Sequence, residues 1–96
     1  MSKKALYIHH RAKPGQREEV KRIWETYARP YVEAADGQLV HVYGFDDQDP
    51  DVIVAYQLMT DASGADGFIN QPWYGDYERE TAALLAGHSE FRTITP

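Results

Sequence analysis

The chain has 96 residues and a formal net charge of −5 at pH 7, so it forms one domain, residues 1–96; two domains would each bury too small a core. The charge argues against a nucleic-acid partner, and the absence of cysteine excludes disulfides, thiolate nucleophiles and cysteine-based zinc sites. No apolar run approaches the roughly 20 residues that span a bilayer and no signal peptide is visible, so we expect a cytoplasmic protein without a membrane partner.

The chain begins with a predicted strand over residues 4–12, which are rich in β-forming side chains. Alternation places Tyr7, His9 and Arg11 on one face. The opposite face holds Leu6, Ile8 and His10. If the face with His9 looks toward the helices, His9 points into the space between sheet and helices and His10 points away from it; the sequence alone does not decide which face that is.

Residues 16–35 predict a helix, because large apolar residues recur every three or four positions. These residues are Val20, Ile23, Trp24, Tyr27 and Tyr31. Pro30 removes one i→i−4 hydrogen bond, so a kink or break is expected near Ala28 and Arg29.

Two strands follow, over residues 38–45 and 52–60, joined by an acidic turn at 46–51. Four carboxylates in this turn are reminiscent of a calcium loop. That loop needs glycine at its sixth position and glutamate at its twelfth, and counting from Asp46 these positions hold Asp51 and Gln57. A solvated hairpin turn is the better interpretation.

The last third of the chain predicts a short helix over 62–69, a second helix from Pro72 to residue 85 or 86, and a final strand over 89–95. Gly87 ends the second helix. The order is β-α-β-β-α-β, an α+β ferredoxin-like plait with one antiparallel sheet and its helices on one face. The other face carries Val40 and Val42, which indicates a homodimer formed by sheet-to-sheet packing.

Aromatic residues crowd the stretch 69–77, where Trp73, Tyr74 and Tyr77 fall within the first turns of the predicted helix. Large rings with polar tips suit a pocket wall that holds a flat organic molecule. The same rings could equally form the aromatic part of a small core.

The ordered set of motifs resembles the antibiotic biosynthesis monooxygenase (ABM) family of dimeric α+β barrels. The resemblance extends over essentially the whole chain and is carried by residues 11–20, 36–37, 47–51, 60–61, 71–74 and 90–96. It implies a homodimer with a pocket between the sheet and the helices of each subunit. Some members oxidise quinol- or anthrone-like molecules with O₂ and without flavin, haem or metal, so no cofactor is expected.

The chain departs from the family pattern at several functional positions. Phe68 and Trp73 stand where members often have histidines, and Gln57 and Met59 replace a frequent glutamate and tryptophan. The three residues that haem-degrading relatives use correspond to His9, Phe68 and Glu78, which argues against haem chemistry.

Oxidation of a phenolic or quinol-like ring needs a base, groups that stabilise the substrate anion, and a pocket that excludes water. The predicted catalytic residues are His9 and, second, His41, because histidine titrates near neutral pH. The predicted substrate-binding residues are Tyr43, Tyr56, Phe68, Trp73 and Tyr77. A metal site at His9 and His41 would lack a third ligand on the same strand faces.

The leading hypothesis is therefore a cofactor-independent monooxygenase of a small aromatic or quinone-like molecule. Two alternatives stay open: a non-catalytic dimeric barrel that binds a hydrophobic metabolite, and an isomerase of a small carbonyl metabolite. Either histidine could instead be a hydrogen-bonded core or interface residue.

Overall fold

Four strands form one antiparallel sheet in the computed structural model, which describes residues 3–61, 67–87 and 89–96. The elements are β1 (Lys4–Arg11), α1 (Arg17–Tyr27), α2 (Arg29–Ala34), β2 (Gln38–Phe45), β3 (Val52–Met59), α3 (Tyr74–Ala82) and β4 (Glu90–Ile94). The strand order is β2-β3-β1-β4, and the helices pack on one face of the sheet. The predicted α+β ferredoxin-like plait is confirmed.

The first helical region divides where the sequence predicts a break. Val20 and Trp24 are the buried positions of α1. Ala28 lies between α1 and α2, and Pro30 occupies the first turn of α2, where its missing N–H has no intrahelical partner to lose. The Ala28 N–H bonds to the Trp24 carbonyl at 2.8 Å, and the Val32 N–H bonds to the Ala28 carbonyl at 2.9 Å, so the break loses little hydrogen bonding.

The acidic turn between β2 and β3 is organised by arginines. Nη1 of Arg17 donates to the backbone carbonyls of Asp46 and Asp49, at 2.9 Å each, and of Val52 at 3.3 Å. Arg11 forms an ion pair with Asp49 at 2.8 Å. The turn is thus a hairpin connection held by guanidinium groups, in agreement with the sequence interpretation.

On β1, the strand face that looks toward the helices is not the one that a catalytic His9 requires. The face toward the helices holds Leu6, Ile8 and His10, whereas His9 lies on the opposite face, which we call the outer face. The orientation on which the choice of His9 as catalytic residue depended is therefore wrong, and His10 points toward the helices instead. Alternation fixes which residues share a face. Because both faces of this strand mix polar and apolar side chains, the sequence does not determine which face the helices cover.

The second helical region is shorter than predicted. α3 begins at Tyr74 and ends at Ala82, whereas the sequence predicted a helix from Pro72 to residue 85 or 86. The chain beyond α3 joins the end of β1 instead: the Lys13 N–H bonds to the Leu84 carbonyl at 2.8 Å. Residues 67–69 are helical, and the rest of the predicted helix over 62–69 lies outside the described residues. Gly87 has φ +84°, as expected for a chain reversal that favours glycine.

No helix in the described part of the chain is both long enough and apolar enough to cross a membrane.

Candidate ligand-binding cavity

A cavity of about 520 Å³ lies between the sheet and the helices. Its floor is one row of paired residues across all four strands: Tyr43 on β2, Ala55 on β3, Ile8 on β1 and Phe91 on β4. Ala55 carries a methyl group at the middle of this row. The small side chain leaves the space above the sheet open.

Most of the cavity wall is apolar. The aliphatic side chains in the lining are Leu6, Ile8, Ala55, Ile69, Ala82 and Leu85. The aromatic ones are Trp24, Tyr43, Phe68, Tyr74, Tyr77 and Phe91. The remaining lining residues are His10, Gln57, Glu78, Thr81, Gly87 and Ser89. An apolar wall with a few polar groups is the usual make-up of a small-molecule site.

His10 is the histidine of the cavity, and its side chain is buried, with 7% exposed. Its Nδ1 forms a hydrogen bond with Oγ of Ser89, and its ring meets Phe91 edge to face with centroids 6.0 Å apart. Burial, and secondly the neighbouring His9, lowers the pKa of His10 to about 4. The ring is therefore neutral at pH 7, and Nε2 has no hydrogen-bond partner among residues 3–61, 67–87 and 89–96.

Tyr43 forms one end of the floor, where it stacks on Trp24 of α1 with ring centroids 4.3 Å apart. Its hydroxyl oxygen is buried and has no hydrogen-bond partner within the described residues. Burial raises the pKa of Tyr43 well above its ordinary value, so the phenol stays protonated.

α3 supplies the wall opposite the sheet. Burial raises the pKa of Tyr77 above its ordinary value, so this phenol is also neutral. Thr81, one turn further along, is 6% exposed, and its hydroxyl is buried without a hydrogen-bond partner in the described part of the chain. Tyr74 lies nearer the solvent, and its pKa is raised first by partial burial and then by the charge of the exposed Glu78 and a hydrogen bond with it.

A second layer of rings supports this wall from outside. Trp73 packs edge to face on Phe68, with centroids 5.2 Å apart, and on Tyr77 at 6.0 Å. Tyr27 of α1 packs on Trp73 at 6.3 Å, and its hydroxyl bonds to the Glu80 carboxylate. Of the aromatic stretch 69–77, Tyr74 and Tyr77 therefore line the cavity, together with Phe68 just before it, whereas Trp73 packs behind them.

Several solved structures share this architecture. A candidate antibiotic biosynthesis monooxygenase of Chloroflexus aurantiacus matches with a TM-score of 0.82 and 25% sequence identity, over 99% of this chain and 93% of that chain. Another, from Caulobacter crescentus, matches with a TM-score of 0.88 and 10% identity, over 99% of this chain and 90% of that chain. A Nitrosomonas europaea protein of unknown function matches with a TM-score of 0.80 and 21% identity, over 100% and 90% of the two chains.

The chain has the antibiotic biosynthesis monooxygenase (ABM) fold. The resemblance predicted from the sequence is thereby confirmed at the level of the fold. No protein-family model matches the chain, and no curated protein matches it. Because one fold hosts many functions, the chemistry has to be argued from the residues of the site.

The ABM fold brings together only part of the predicted site. Tyr43, Phe68 and Tyr77 line the cavity, and their binding of a substrate stays a prediction. Trp73 is not part of the lining, because α3 begins after it and its ring turns to the outer aromatic layer. The predicted placement of Tyr56 is wrong: it pairs with Tyr7 and Val42 on the outer face of the sheet.

Neither predicted catalytic histidine lies in the main cavity of this ABM fold. His9 is on the outer face, for the reason given for β1. His41 faces the helices but lies at the edge of the sheet, where it lines a smaller recess of about 210 Å³ with Lys21, Trp24, Arg29 and Tyr43. Among the residues that the structure describes, no three His, Asp or Glu side chains are grouped closely enough to hold a metal ion.

Sequence reasoning missed His10, Gln57 and Thr81 as site residues. A signal for His10 was present, because its neighbours on the same face, Leu6 and Ile8, are more apolar than Tyr7 and Arg11 on the other face. The pattern also places Thr81 on the inner stripe of its helix with Tyr77, and Gln57 on one strand face with Ile53 and Ala55, but it does not mark either as a site residue. A polar side chain becomes recognisable as a site residue only when its burial is known.

Proposed function

We propose that the protein is a cofactor-independent monooxygenase that oxidises a small aromatic or quinol-like molecule with O₂ in the main cavity. The observation that carries this proposal is a neutral, buried histidine, whose Nε2 has no hydrogen-bond partner among the described residues, in a mostly apolar, ring-lined space. The likeness to candidate ABM proteins supports the same reaction class. His10 takes the part that the sequence assigned to His9.

The proposed reaction begins with proton transfer from a substrate hydroxyl to Nε2 of His10. The resulting anion is electron-rich and passes an electron to O₂, and recombination forms a carbon–oxygen bond. Loss of water from the hydroperoxide leaves a carbonyl, so one oxygen atom enters the product and the other leaves as water. The protonated His10 returns its proton before that last step, to the peroxide anion that the recombination forms, and the water then takes its hydrogens from the hydroperoxide O–H and from the C–H of the oxygenated carbon.

The cavity supplies conditions that favour this chemistry. The hydrogen bond between Ser89 and Nδ1 fixes the His10 ring. A substrate anion beside the imidazolium would stabilise it, since opposite charges attract strongly in a low-dielectric site. The apolar wall keeps water from the anion and from the hydroperoxide.

One observation favours a second candidate function, the binding of a hydrophobic metabolite without chemistry. A histidine whose pKa lies near 4 is a weak base toward a phenol whose pKa is about 10. On this alternative the apolar wall would bind the ring, and His10 would only accept a hydrogen bond from it.

Oxygen uptake separates the two candidates. The protein is mixed with a panel of naphthols, quinols and anthrones, and dissolved O₂ and bound ligand are both measured. His10→Gln should lower the rate by about 10²- to 10⁴-fold while binding is retained, as expected for loss of a general base. His41→Gln is the matched control and should keep the rate. Binding without O₂ uptake on any compound would instead support the metabolite-binding protein.

The proposal includes a homodimer formed through the outer faces of two sheets. Large apolar side chains are exposed on this face: Val40, Val42, Tyr56 and Ile94. Val42, 59% exposed, is the most exposed of them, and burying such a patch is a common reason for association.

Sedimentation should give a dimer for the natural protein and a monomer for Val42→Glu. Ile69→Glu, a change at an exposed position on the helical side, should stay dimeric; a monomeric natural protein would overturn this part.

A further inference from the structure

We infer that the protein conducts one-electron oxidising equivalents from the cavity to its surface, through a chain of aromatic side chains that ends at a phenol paired with a carboxylate. The chain consists of Tyr77, Trp73 and Tyr27, which we call the aromatic relay, and Glu80 supplies the carboxylate. This inference goes beyond the proposed function and takes from it only the oxidant, a ring radical in the cavity.

The rings of the aromatic relay are neighbours of one another. Tyr77 lines the cavity, and its ring centroid lies 6.0 Å from that of Trp73 and 6.2 Å from that of Tyr27. Trp73 and Tyr27 pack with centroids 6.3 Å apart and planes inclined by 28°. Electron tunnelling weakens steeply with distance, and phenol and indole are the most readily oxidised aromatic side chains. An electron therefore has two short routes from Tyr27 to the cavity, directly through Tyr77 or by way of Trp73.

Tyr27, at the outer end of the relay, has a base at its hydroxyl. The hydroxyl donates a hydrogen bond to Oε2 of Glu80, and Tyr27 is half-buried while Glu80 is exposed. That hydrogen bond, and secondly burial, raises the pKa of Tyr27, so its phenol is protonated at pH 7. Removal of an electron makes a phenol proton strongly acidic, and the carboxylate is placed to accept it. The oxidised side chain is then a neutral tyrosyl radical near the surface.

Tyr77, at the cavity end, has different surroundings. Burial raises the pKa of Tyr77, and its hydroxyl has no hydrogen bond to a carboxylate within the described residues. An oxidised Tyr77 would keep a positive charge in a mostly apolar cavity, which is unfavourable. An oxidising equivalent at Tyr77 therefore moves on to Tyr27, where Glu80 takes the proton. This difference between the two tyrosines sets the direction of the relay.

The relay would protect the cavity from its own chemistry. In the proposed reaction the substrate anion gives an electron to O₂, which leaves a ring radical and superoxide. When superoxide escapes before recombination, the ring radical takes an electron from Tyr27 through the relay and becomes the substrate anion again. The phenol proton of Tyr27 moves to Glu80. A diffusible reductant such as ascorbate then gives an electron to the tyrosyl radical, and Glu80 returns the proton.

The relay can be tested with an oxidant that does not depend on O₂. The chain contains no cysteine, so one introduced cysteine can carry a photo-oxidant. Ala82 is exposed and lines the cavity, and its direction differs from that of Glu80 by about 200° of rotation around α3. Ala82→Cys is labelled with a ruthenium polypyridyl complex, which light and methyl viologen convert to a one-electron oxidant without O₂. Transient absorption and electron paramagnetic resonance follow the radicals.

A neutral tyrosyl radical should form at Tyr27 in the labelled protein. Tyr27→Phe should remove this signal and leave an indole radical. Glu80→Gln should slow its formation by about 10²-fold, the lower end of what a positioned base contributes. Trp73→Phe combined with Tyr77→Phe keeps the packing rings and removes both routes, so no radical should reach Tyr27. Tyr31→Phe, which removes another phenol that packs on Trp73, is the matched control and should change neither rate nor yield.

Four results would each overturn the inference: no tyrosyl radical in the labelled protein, an undiminished Tyr27 radical in the combined variant, an unchanged rate in Glu80→Gln, or loss of the signal in Tyr31→Phe. Tyr27→Phe and Glu80→Gln change side chains outside the core, so these two variants keep the test decisive if the combined variant does not fold. A Tyr27 radical together with no O₂ uptake on the ring compounds would overturn the proposed oxygenase and leave the relay intact. O₂ uptake without a Tyr27 radical would overturn the relay alone.

Discussion

Trp24 on α1 and Tyr43 on β2 stack face to face, with ring centroids 4.3 Å apart and planes inclined by 9°. β2 is an edge strand, paired with β3 on one side, so this stack is a principal link between the edge of the sheet and the helical layer. Both rings also line the cavity. One contact therefore contributes to the stability of the fold and fixes the direction of the Tyr43 hydroxyl.

Replacement of Trp24 by leucine should destabilise the protein by about 2 to 4 kcal/mol, because a buried indole is lost and the space it leaves is only partly filled. Urea unfolding measures the change. Phe91→Leu, at a ring that is 62% exposed, is the matched control and should change the free energy of unfolding by less than about 1 kcal/mol. A smaller loss for Trp24→Leu than for Phe91→Leu would show that the stack contributes little.

His10 should make the stability depend on pH between 6.5 and about 4. Burial lowers the pKa of His10 in the folded state, so in this window the unfolded chain binds more protons. The free energy of unfolding should fall as the pH is lowered through the window, by up to about 3 kcal/mol, and should be insensitive to this group above pH 6.5.

Urea unfolding at a series of pH values tests the dependence on His10. His10→Gln should flatten the curve in this window, whereas His41→Gln should keep the natural slope. The carboxyl groups of Asp49 and Glu90, whose pKa values are lowered by hydrogen bonds and by arginines, contribute mainly at the acidic end. Identical slopes for His10→Gln and the natural protein would contradict the assignment.

Arg17 should stabilise the turn between β2 and β3 more than its surface position suggests. Its guanidinium lies 4.3 Å from the Phe45 ring centroid and donates to three backbone carbonyls. Arg17→Met keeps an aliphatic contact and removes the hydrogen-bond donors. It should lower the free energy of unfolding by about 1 to 3 kcal/mol and speed amide hydrogen exchange in residues 46–52. Arg22→Met, which removes an exposed arginine paired with Glu19, should cost less than about 1 kcal/mol.

Two helical glycines should respond to alanine in opposite directions. A Cβ at Gly67 would lie 2.7 Å from Oη of Tyr31, whereas a Cβ at Gly75 would have nothing within 4 Å. Gly75→Ala should therefore stabilise the protein by about 0.5 to 1 kcal/mol through helix propensity. Gly67→Ala should destabilise it, because the Tyr31 ring must move away from Phe68. Thermal unfolding of both variants tests this difference in sign. Stabilisation by both substitutions would mean that the Tyr31 side chain moves without a loss of folding free energy.

The fold was predictable from the sequence because its signals are local. Alternation defines β2 and β3, the spacing of Val20 and Trp24 defines α1, and Pro30 marks the break after it. Each pattern depends on the residues of one element alone, so it can be recognised without knowing which other elements pack against it. The shorter α3 is the exception, since hydrogen bonds between its C-terminal segment and the end of β1 replace the last helical turn.

The site was only partly predictable because it depends on which face of each element is covered. His9 and His10 are adjacent in the sequence and of the same type, and a single step along the strand decides which of them enters the cavity. Tyr43 was recognisable, because β2 has a clearly aromatic face. Thr81 gains its significance from burial without a hydrogen bond, which is a property of the assembled structure.

Ala55 should control whether the cavity can hold a ligand. It is buried in the middle of the floor, and the space above it is open. Ala55→Leu would fill part of that space with apolar atoms, so naphthoquinone binding should fall by at least about 10-fold, while the free energy of unfolding should stay within about 1 kcal/mol or increase. Ala83→Leu, at an exposed position outside the cavity, is the matched control for both measurements. Unaltered ligand binding in a stable Ala55→Leu protein would place the ligand elsewhere, because a ring cannot rest on a floor position that a leucine side chain already occupies.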